Sequence, residues 1–235
     1  MKVVAIVQAR MNSFRLPGKV LLPLAGEPML WHILTRVRRA KSVDIVITAV
    51  PAQDHKALLH VSRPGLIVKH GGDENDLIGR FYHAARFIDA DIIVRICADN
   101  PFVEPAEIDR AVSHYMNFPC VFVSNMHQHH KDLCQANGYP DGIGCEVFSM
   151  SRLAWMQDTI TDKGLLEHPH KAFHKYAKID SPICPSEFSR PDLKLDVNTK
   201  EEYEFVKDIY DHLYPQNHNF HITDVIRYLD EKNIS

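Results

Sequence analysis

Three cationic side chains lie within ten positions near the start of the chain, directly after the apolar run at residues 3–7. The polar set is Arg10, Arg15 and Lys19, with the short donors Asn12 and Ser13 between them. Several cations among small hydrogen-bond donors suit a polyphosphate, whose oxygens accept from both. The alternative interpretation is an ordinary surface loop that happens to be basic.

Neither familiar phosphate-binding fingerprint matches this loop. The Walker form needs Ser or Thr after Gly-Lys, whereas Gly18-Lys19 is followed by Val20. The dinucleotide form needs Gly-x-Gly, which residues 8–19 do not contain. Phosphate binding therefore depends here on a different arrangement of donors.

A carboxylate follows a second apolar run. Asp99 comes after residues 91–96 and before Asn100-Pro101, a sequence that ends a strand. The carboxyl ends of parallel strands meet at one edge of a sheet, so Asp99 is expected near the cationic loop. Mg²⁺ usually binds through one or two carboxylates with substrate phosphates and water. Asp99 is the first predicted metal ligand, and a turn cap before a helix near Pro105 is the alternative.

The cationic loop resembles the signature of the sugar-acid cytidylyltransferases. These include the acylneuraminate and 3-deoxy-manno-octulosonate cytidylyltransferases and, most similar, the spore coat polysaccharide biosynthesis protein F group. The matching residues are Gln8-Ala9-Arg10-Met11-x-Ser13-x-Arg15-Leu16-Pro17-Gly18-Lys19. Further matches follow in family order at residues 71–85, 95–101, 139–148 and 190–206, so the resemblance covers nearly the whole chain.

The resemblance implies a nucleotide site and a set of catalytic residues. Arg10, Lys19 and Asp99 would be catalytic, with Mg²⁺ on Asp99. The nucleotide-binding residues would be Gln8, Ala9, Arg10, Asn12, Ser13, Arg15, Lys19 and Arg80. For Arg80, a solvated position on its helix is the other interpretation.

The acceptor side is expected around residues 139–148. Tyr139-Pro140-Asp141-Gly142 resembles the family's motif before Glu-Val-Phe, and its glycines permit close approach of backbone to a ligand. Asp141, Glu146 and His168 are the predicted sugar-binding residues. A plain Asp-Gly turn is an equally good interpretation of Asp141, and a partly buried helix residue of His168.

The chain departs from the family near its end. Residues 190–203 resemble a segment in which a strand enters a helix and an Asp joins the first Asp on the metal, but Asn198 stands at that Asp. Asp196 lies two positions earlier and would point to the same side of an extended segment. Asp99, Asp196 and Asn198 are the predicted metal ligands, and Thr199 is expected to cap the following helix.

Strand and helix patterns alternate through the first half of the chain. Apolar strands at 3–7, 44–50, 66–69 and 91–96 are separated by helical patterns at 28–40, 52–61 and 76–88, which predicts βαβ units and a parallel sheet. With the resemblance, this favours a single three-layer α/β/α domain over residues 1–235. Its mostly parallel sheet would have the nucleotide-diphospho-sugar transferase (glycosyltransferase-A-like) fold.

Composition bounds the function. A net charge of −3 over 235 residues argues against a general nucleic-acid binder, so the cationic loop is a local feature. Five cysteines without a Cys-x-x-Cys pair suggest neither a disulfide framework nor a zinc site. No apolar run is long enough to span a membrane, and a cytoplasmic location is the expectation.

Residues 125–140 form a long polar connection, predicted to be a lid or an arm. His127, His129, His130 and Cys134 are interpreted as solvated side chains rather than a soft-metal cluster. Related cytidylyltransferases pair through an arm in this region, so the resemblance implies a homodimer.

The expected activity is transfer of CMP from CTP to a sugar acid with release of pyrophosphate, in cell-surface polysaccharide biosynthesis. A same-fold glycosyltransferase would usually present Asp-x-Asp after a mid-chain strand, and a sugar-1-phosphate nucleotidylyltransferase a Gly-rich first loop. A noncatalytic nucleotide-binding subunit is the remaining alternative, for which Asn198 is the main argument.

Overall fold

A mixed sheet built around the first strand organises the chain. The computed structural model describes residues 1–63, 65–118, 120–126 and 137–233. Its strands are β1 (Val3–Gln8), β2 (Pro23–Leu24), β3 (Glu27–Pro28), β4 (Ile45–Pro51), β5 (Leu66–His70), β6 (Ile92–Cys97), β7 (Phe122–Ser124), β8 (Glu146–Ser149) and β9 (Ile179–Asp180). Its α-helices are α1 (Met29–Val37), α2 (His55–Leu58), α3 (Leu77–Phe87), α4 (Pro105–Asn117), α5 (Met150–Thr159), α6 (Lys163–Glu167), α7 (Pro169–Tyr176), α8 (Lys200–Leu213) and α9 (Ile222–Glu231).

Within these residues the main sheet has seven strands in the order β5-β4-β1-β6-β8-β7-β9, and β2 pairs with β3 in a separate hairpin. β1 is parallel to both β4 and β6, with Gln8 opposite Cys97. β8 runs antiparallel to β6 and β7. The strand order turns from one direction to the other between β1 and β6, which is where α/β sheets open a ligand crevice. The predicted central position of β1 is confirmed.

Both faces of β1 are buried, as its unbroken apolar run predicts. Val3, Ala5 and Val7 belong to a core with α1, α4, α8 and α9, whereas Val4 and Ile6 belong to a second core with α3, α5 and α7. Helices therefore cover the sheet on both sides, which confirms the predicted α/β/α layers.

Two predicted elements differ from the structure. The helix expected at 52–61 is a 3₁₀ turn followed by the short α2. The segment at 190–198 is not a strand of the main sheet. It forms an isolated β-bridge with Asp141, whose N donates to Leu193 O (2.9 Å) and whose O accepts from Leu195 N (3.0 Å). It then enters α8, where the Thr199 side chain and Glu202 form a capping box, so the predicted cap is confirmed.

Much of the predicted arm, including its three histidines and Cys134, lies outside the described residues. The other four cysteines are free thiols. In the described part of the chain, no helix has the length and apolar character needed to cross a bilayer.

α1 and α8 are joined through the buried imidazole of His32. Its ring lies 4.7 Å from that of Tyr210, and its Nε2 lies 2.7 Å from Leu24 O. Burial lowers the pKa of His32 to about 4 from 6.5. The folded chain therefore keeps this imidazole neutral at pH values where the unfolded chain protonates it.

Protonation of His32 predicts a stability loss in acid. Since the unfolded state binds more protons between pH 6.5 and about 4, the free energy of unfolding should be steady above this window and fall by about 2–3 kcal/mol across it. Chemical denaturation of the wild type and of His32→Gln at several pH values would measure this. An equal slope in both proteins would assign the acid sensitivity to other groups.

Candidate active site

A cleft of about 480 Å³ opens at the carboxyl ends of the strands, over the junction of β1 and β6. Most of the residues predicted from the sequence line it together: Gln8, Ala9, Arg10, Ser13, Arg15, Lys19, Arg80, Asp99, His168 and Asn198. These positions come from five separated stretches of the chain.

The loop after β1 is closed by backbone hydrogen bonds onto Met11. Its carbonyl accepts from Ser13 N (3.1 Å) and Gly18 N (2.9 Å), and Gly18 has φ of 70°, a left-handed conformation that favours glycine. Met11 N donates to Asp54 Oδ2 at 2.8 Å, so a buried carboxylate after β4 holds the loop in place. The loop is therefore shaped before any ligand binds.

Lys19 lies at the centre of the acidic side of the cleft. Its Nζ donates to Asp99 Oδ2 (2.9 Å), Asn198 Oδ1 (3.2 Å) and the backbone oxygen of Val197 (2.7 Å). Lys19 is only 9% exposed, so these oxygens replace water around the ammonium group. The predicted catalytic cation and two of the predicted metal ligands thus meet at one point.

The residues around Asp99 have the donor chemistry of a divalent cation site. Asp99 Oδ1 is buried without a hydrogen-bond partner among the described residues. Asn198 adds a second hard oxygen at the same place. A cluster of three or more His, Cys, Asp or Glu side chains suited to a metal is absent from the described ranges. A cation bound here would therefore take some of its coordinating oxygens from substrate and water, as Mg²⁺ commonly does.

Asp196 lies behind this point rather than in the cleft. Its Oδ2 accepts from Asn198 Nδ2, which turns the amide oxygen of Asn198 toward Lys19. Burial and the nearby carboxylate of Asp141 raise the pKa of Asp196 to about 6. The extended geometry predicted from the sequence thus gives Asp196 contact with Asn198, and Asp196 is absent from the residues that line the cleft.

Two arginines lie close together at the β5 end of the cleft. Arg80 is 2% exposed and donates to the Glu74 carbonyl, while its Nε is buried without a partner among the described residues. Burial, and then repulsion from Arg10, lowers the pKa of Arg80 to about 10. Arg10 donates to Asn75 Oδ1 at 3.2 Å. Arg80 remains charged at neutral pH, and the two neighbouring cations favour an anionic ligand.

The predicted sugar-binding residues separate in space. His168 lines the cleft, and burial followed by Lys171 lowers its pKa. Glu146 is fully buried and pairs with Arg95, and Asp141 also lies outside the lining of the cleft. Asn12, expected to contact nucleotide, is exposed and does not line it either.

The glycines of this region pack against the chain rather than a ligand. A Cβ on Gly142, where φ is +91°, would lie 2.6 Å from Asp196 N, and one on Gly144 would lie 2.1 Å from Asn125 O. The close approach expected from the motif is real, but the partner is backbone.

Several cleft residues were not predicted: Phe14, Glu74, Asn75, Leu77, Arg95, Cys97 and Glu167. Only Arg95 carries a clear sequence signal, as a charge inside the apolar run Ile92-Ile93-Val94-Arg95-Ile96. The other residues line the cleft because the tertiary structure brings their loops together at this edge of the sheet.

Comparison with known proteins relates this chain to nucleotidyltransferases. Residues 4–150 match the family model described as cytidylyltransferase. The Bacillus subtilis spore coat polysaccharide biosynthesis protein SpsF is 29% identical over 87% of this chain and 85% of its own length. The 3-deoxy-manno-octulosonate cytidylyltransferase of Trichlorobacter lovleyi is 36% identical over 51% of this chain and 47% of its own.

Solved structures show the same fold. A cytidylyltransferase from Leptospira borgpetersenii has a TM-score of 0.81 at 26% identity, covering 99% of this chain and 95% of that one. Rv0371c from Mycobacterium tuberculosis, solved in complex with manganese, has a TM-score of 0.59 at 19% identity, covering 88% and 99%. The fold is that of a nucleotidyltransferase. The chain belongs to the cytidylyltransferase family.

The contact between Asp54 and the loop predicts a remote effect on nucleotide binding. Asp54→Ala removes the acceptor for Met11 N. It should weaken CTP binding about tenfold, because the free energy needed to order the loop would then be taken from the free energy of binding. Asp54→Asn keeps an acceptor oxygen and is the matched control. Calorimetry with CTP measures both, and equal affinities for wild type and Asp54→Ala would mean that the loop keeps its shape without this bond.

Proposed function

We propose that this cytidylyltransferase transfers CMP from CTP to a hydroxyl of a sugar acid, with release of pyrophosphate, in cell-surface polysaccharide biosynthesis. The observation that carries the proposal is the convergence of Lys19, Asp99 and Asn198 beside the cationic loop, in a chain of this family. The similarity to SpsF and to 3-deoxy-manno-octulosonate cytidylyltransferases supports the substrate class.

In the proposed reaction the sugar hydroxyl oxygen attacks the α-phosphorus of CTP, and the bond from that phosphorus to the bridging oxygen of the β-phosphate breaks. Negative charge builds on the phosphate oxygens, so positioned cations and donors lower the barrier without a covalent nucleophile. Arg10 and Arg15 from the loop would hold the phosphates, with Ser13 as a neutral donor and Lys19 closest to the acidic side. Ala9 and Arg80 would border the nucleoside.

Mg²⁺ is the proposed cofactor, and the oxygens present fit it. Asp99 Oδ1, unpartnered in the described part of the chain, and Asn198 Oδ1 would hold the ion, while Asp196 would fix the Asn198 amide from behind. When bound, the ion would neutralise charge on the triphosphate. The manganese complex of Rv0371c supports a divalent cation in proteins of this fold.

His168 would face the acceptor, since it lines the cleft next to Glu167, whose Oε1 lies 3.6 Å from Arg10 Nη2. Its lowered pKa keeps the imidazole neutral at pH 7, so it can accept or donate a hydrogen bond to a sugar hydroxyl. A single domain acting in the cytoplasm as a homodimer completes the proposal.

Pyrophosphate release is the direct test. The wild-type chain should release pyrophosphate from CTP with Mg²⁺ when offered 3-deoxy-manno-octulosonate, N-acetylneuraminate or a related sugar acid, and mass spectrometry should find the CMP-sugar. Lys19→Ala should lower this rate by a factor on the order of 100 or more. A wild-type chain that binds CTP but releases pyrophosphate with none of these acceptors contradicts the proposal, as does sugar transfer from a nucleotide sugar.

Asn198 and Asp99 test the cation site. Asp99→Asn should abolish Mg²⁺-dependent turnover, because the carboxylate supplies the main protein charge for the ion. Asn198→Asp adds a carboxylate at the same position and should lower the Mg²⁺ concentration at half-maximal rate about tenfold. Calorimetric titration of Mn²⁺ into the CTP complex gives the affinity without turnover. An unchanged affinity in Asn198→Asp would show that this side chain does not reach the ion.

A further inference from the structure

A buried ion pair lies under the cleft without a role in the proposed mechanism. Arg95 on β6 and Glu146 on β8 are opposite each other in the antiparallel register, and Arg95 Nη1 donates to Glu146 Oε2. The two residues are 2% and 0% exposed. Buried ion pairs stabilise folds weakly at best against apolar replacements, so the pair calls for a functional explanation.

The guanidinium of Arg95 contacts a residue of the first loop signature. Arg95 Nε donates to Gln8 Oε1 at 2.9 Å, and Nη2 lies 3.6 Å from Cys97 Sγ. A guanidinium can only donate, so Gln8 must turn its carbonyl oxygen toward Arg95. The amide group of Gln8 therefore has one orientation and not its flipped alternative.

The other end of that amide faces the cleft. Gln8 lines the cleft, and its Nε2 is neither buried nor hydrogen-bonded among the residues that the structure describes. Arg95 thus converts Gln8, which can ordinarily donate or accept, into a donor toward the ligand. Glu146 holds Arg95 in the position that imposes this.

The location selects the ligand. In the proposed function Arg10 and Arg80 bind the nucleotide, and Arg10 is bonded to Asn75 between β5 and α3. Gln8 lies at the β1–β6 junction opposite Cys97, next to the strands that carry Arg95 and Glu146. The Gln8 side chain is therefore directed toward β6 and β8, the side of the cleft on which we place the acceptor.

We propose that Arg95, anchored by Glu146, is a positioning residue that holds Gln8 as a hydrogen-bond donor to the carboxylate of the acceptor sugar acid. The inference rests on the proposed function and adds how the acid group is recognised. It also moves Gln8 from the expected nucleotide contacts to the acceptor, and makes Glu146 an indirect rather than a direct contributor to sugar binding.

Two substitutions at Gln8 separate the possible ligands. Gln8→Met removes the donor at similar size and should raise KM for the sugar acid about tenfold with kcat nearly unchanged. Gln8→Glu can still accept from Arg95 but places a negative charge against the carboxylate, so KM should rise about 100-fold. CTP affinity by calorimetry, without acceptor, should stay within about twofold in both. Gln216→Glu, the same chemical change at an exposed site after α8, is the control.

A double-mutant cycle tests the positioning role. Arg95→Lys keeps the charge but loses the fork that reaches both Gln8 and Glu146, so KM for the sugar acid should rise about tenfold. Adding Gln8→Met to Arg95→Lys should then raise KM little further, because the donor is already misplaced. Circular dichroism and thermal melting identify any variant that fails to fold, and the Gln8 variants keep the inference testable if Arg95→Lys is one of them.

Each other outcome is decisive. Weaker CTP binding with an unchanged KM for the sugar acid would place Gln8 on the nucleotide and overturn the inference. An unchanged or lower KM in Gln8→Glu would indicate a hydroxyl partner and overturn it too, as would independent effects in the cycle. A wild-type chain that binds a sugar acid in calorimetry without releasing pyrophosphate overturns the proposed function alone, since binding still reports on Gln8. Absence of any sugar-acid binding overturns both.

Discussion

The site depends on the hydrogen bonds of one buried ammonium group. Lys19 Nζ joins the loop after β1 to Asp99 after β6 and to Val197 before α8, residues 80 and 178 positions away in sequence. The Val197 amide in turn donates to Asp99 O at 2.8 Å, so the two partners of Lys19 are also bonded to each other. Since a buried charge must be compensated where it lies, this cation fixes the relative positions of all three segments.

The antiparallel β8 has a consequence for the cleft. In a parallel sheet only carboxyl ends of strands reach the ligand edge, but a reversed strand brings its amino end there. Glu146, the first residue of β8, thereby lies opposite Arg95 near the end of β6. The preceding residues pack on the 193–196 segment through Asp141 and Gly142, which connects the amino end of β8 to the segment whose Val197 and Asn198 contact Lys19.

The charge of the cleft is opposite to that of the whole chain. The chain carries −3 overall, yet Arg10, Arg15, Lys19, Arg80 and Arg95 all line the cleft. Three are paired with acids: Lys19 with Asp99, Arg95 with the buried Glu146, and Arg10 with Glu167. Arg10 and Arg80 repel each other, so an anion between them removes a cost already present in the fold. Anion affinity is therefore local and needs no basic surface.

Those features of the site that depend on local sequence patterns could be predicted from the sequence. The apolar run of β1, the cationic loop closed at Pro17-Gly18, the strand end at Asp99 and the Thr199 cap depend on neighbours within a few positions, and the motifs carry them directly. The same reasoning placed these residues at one edge of the sheet, because parallel strands present their carboxyl ends together.

Which side chain of each motif reaches the cleft was decided by tertiary structure alone. Asp196 and Asn198 alternate along an extended segment, but only contact with Lys19 shows that Asn198 faces the cleft and Asp196 supports it. From the sequence alone, Glu146 cannot be distinguished from an acid that binds a ligand. It is buried because β8 pairs with β6, which places Glu146 opposite Arg95. The sequence determined which residues have the chemistry, whereas strand pairing across long separations determined which of them are left facing the cleft, since each buried charge takes its partner from another segment.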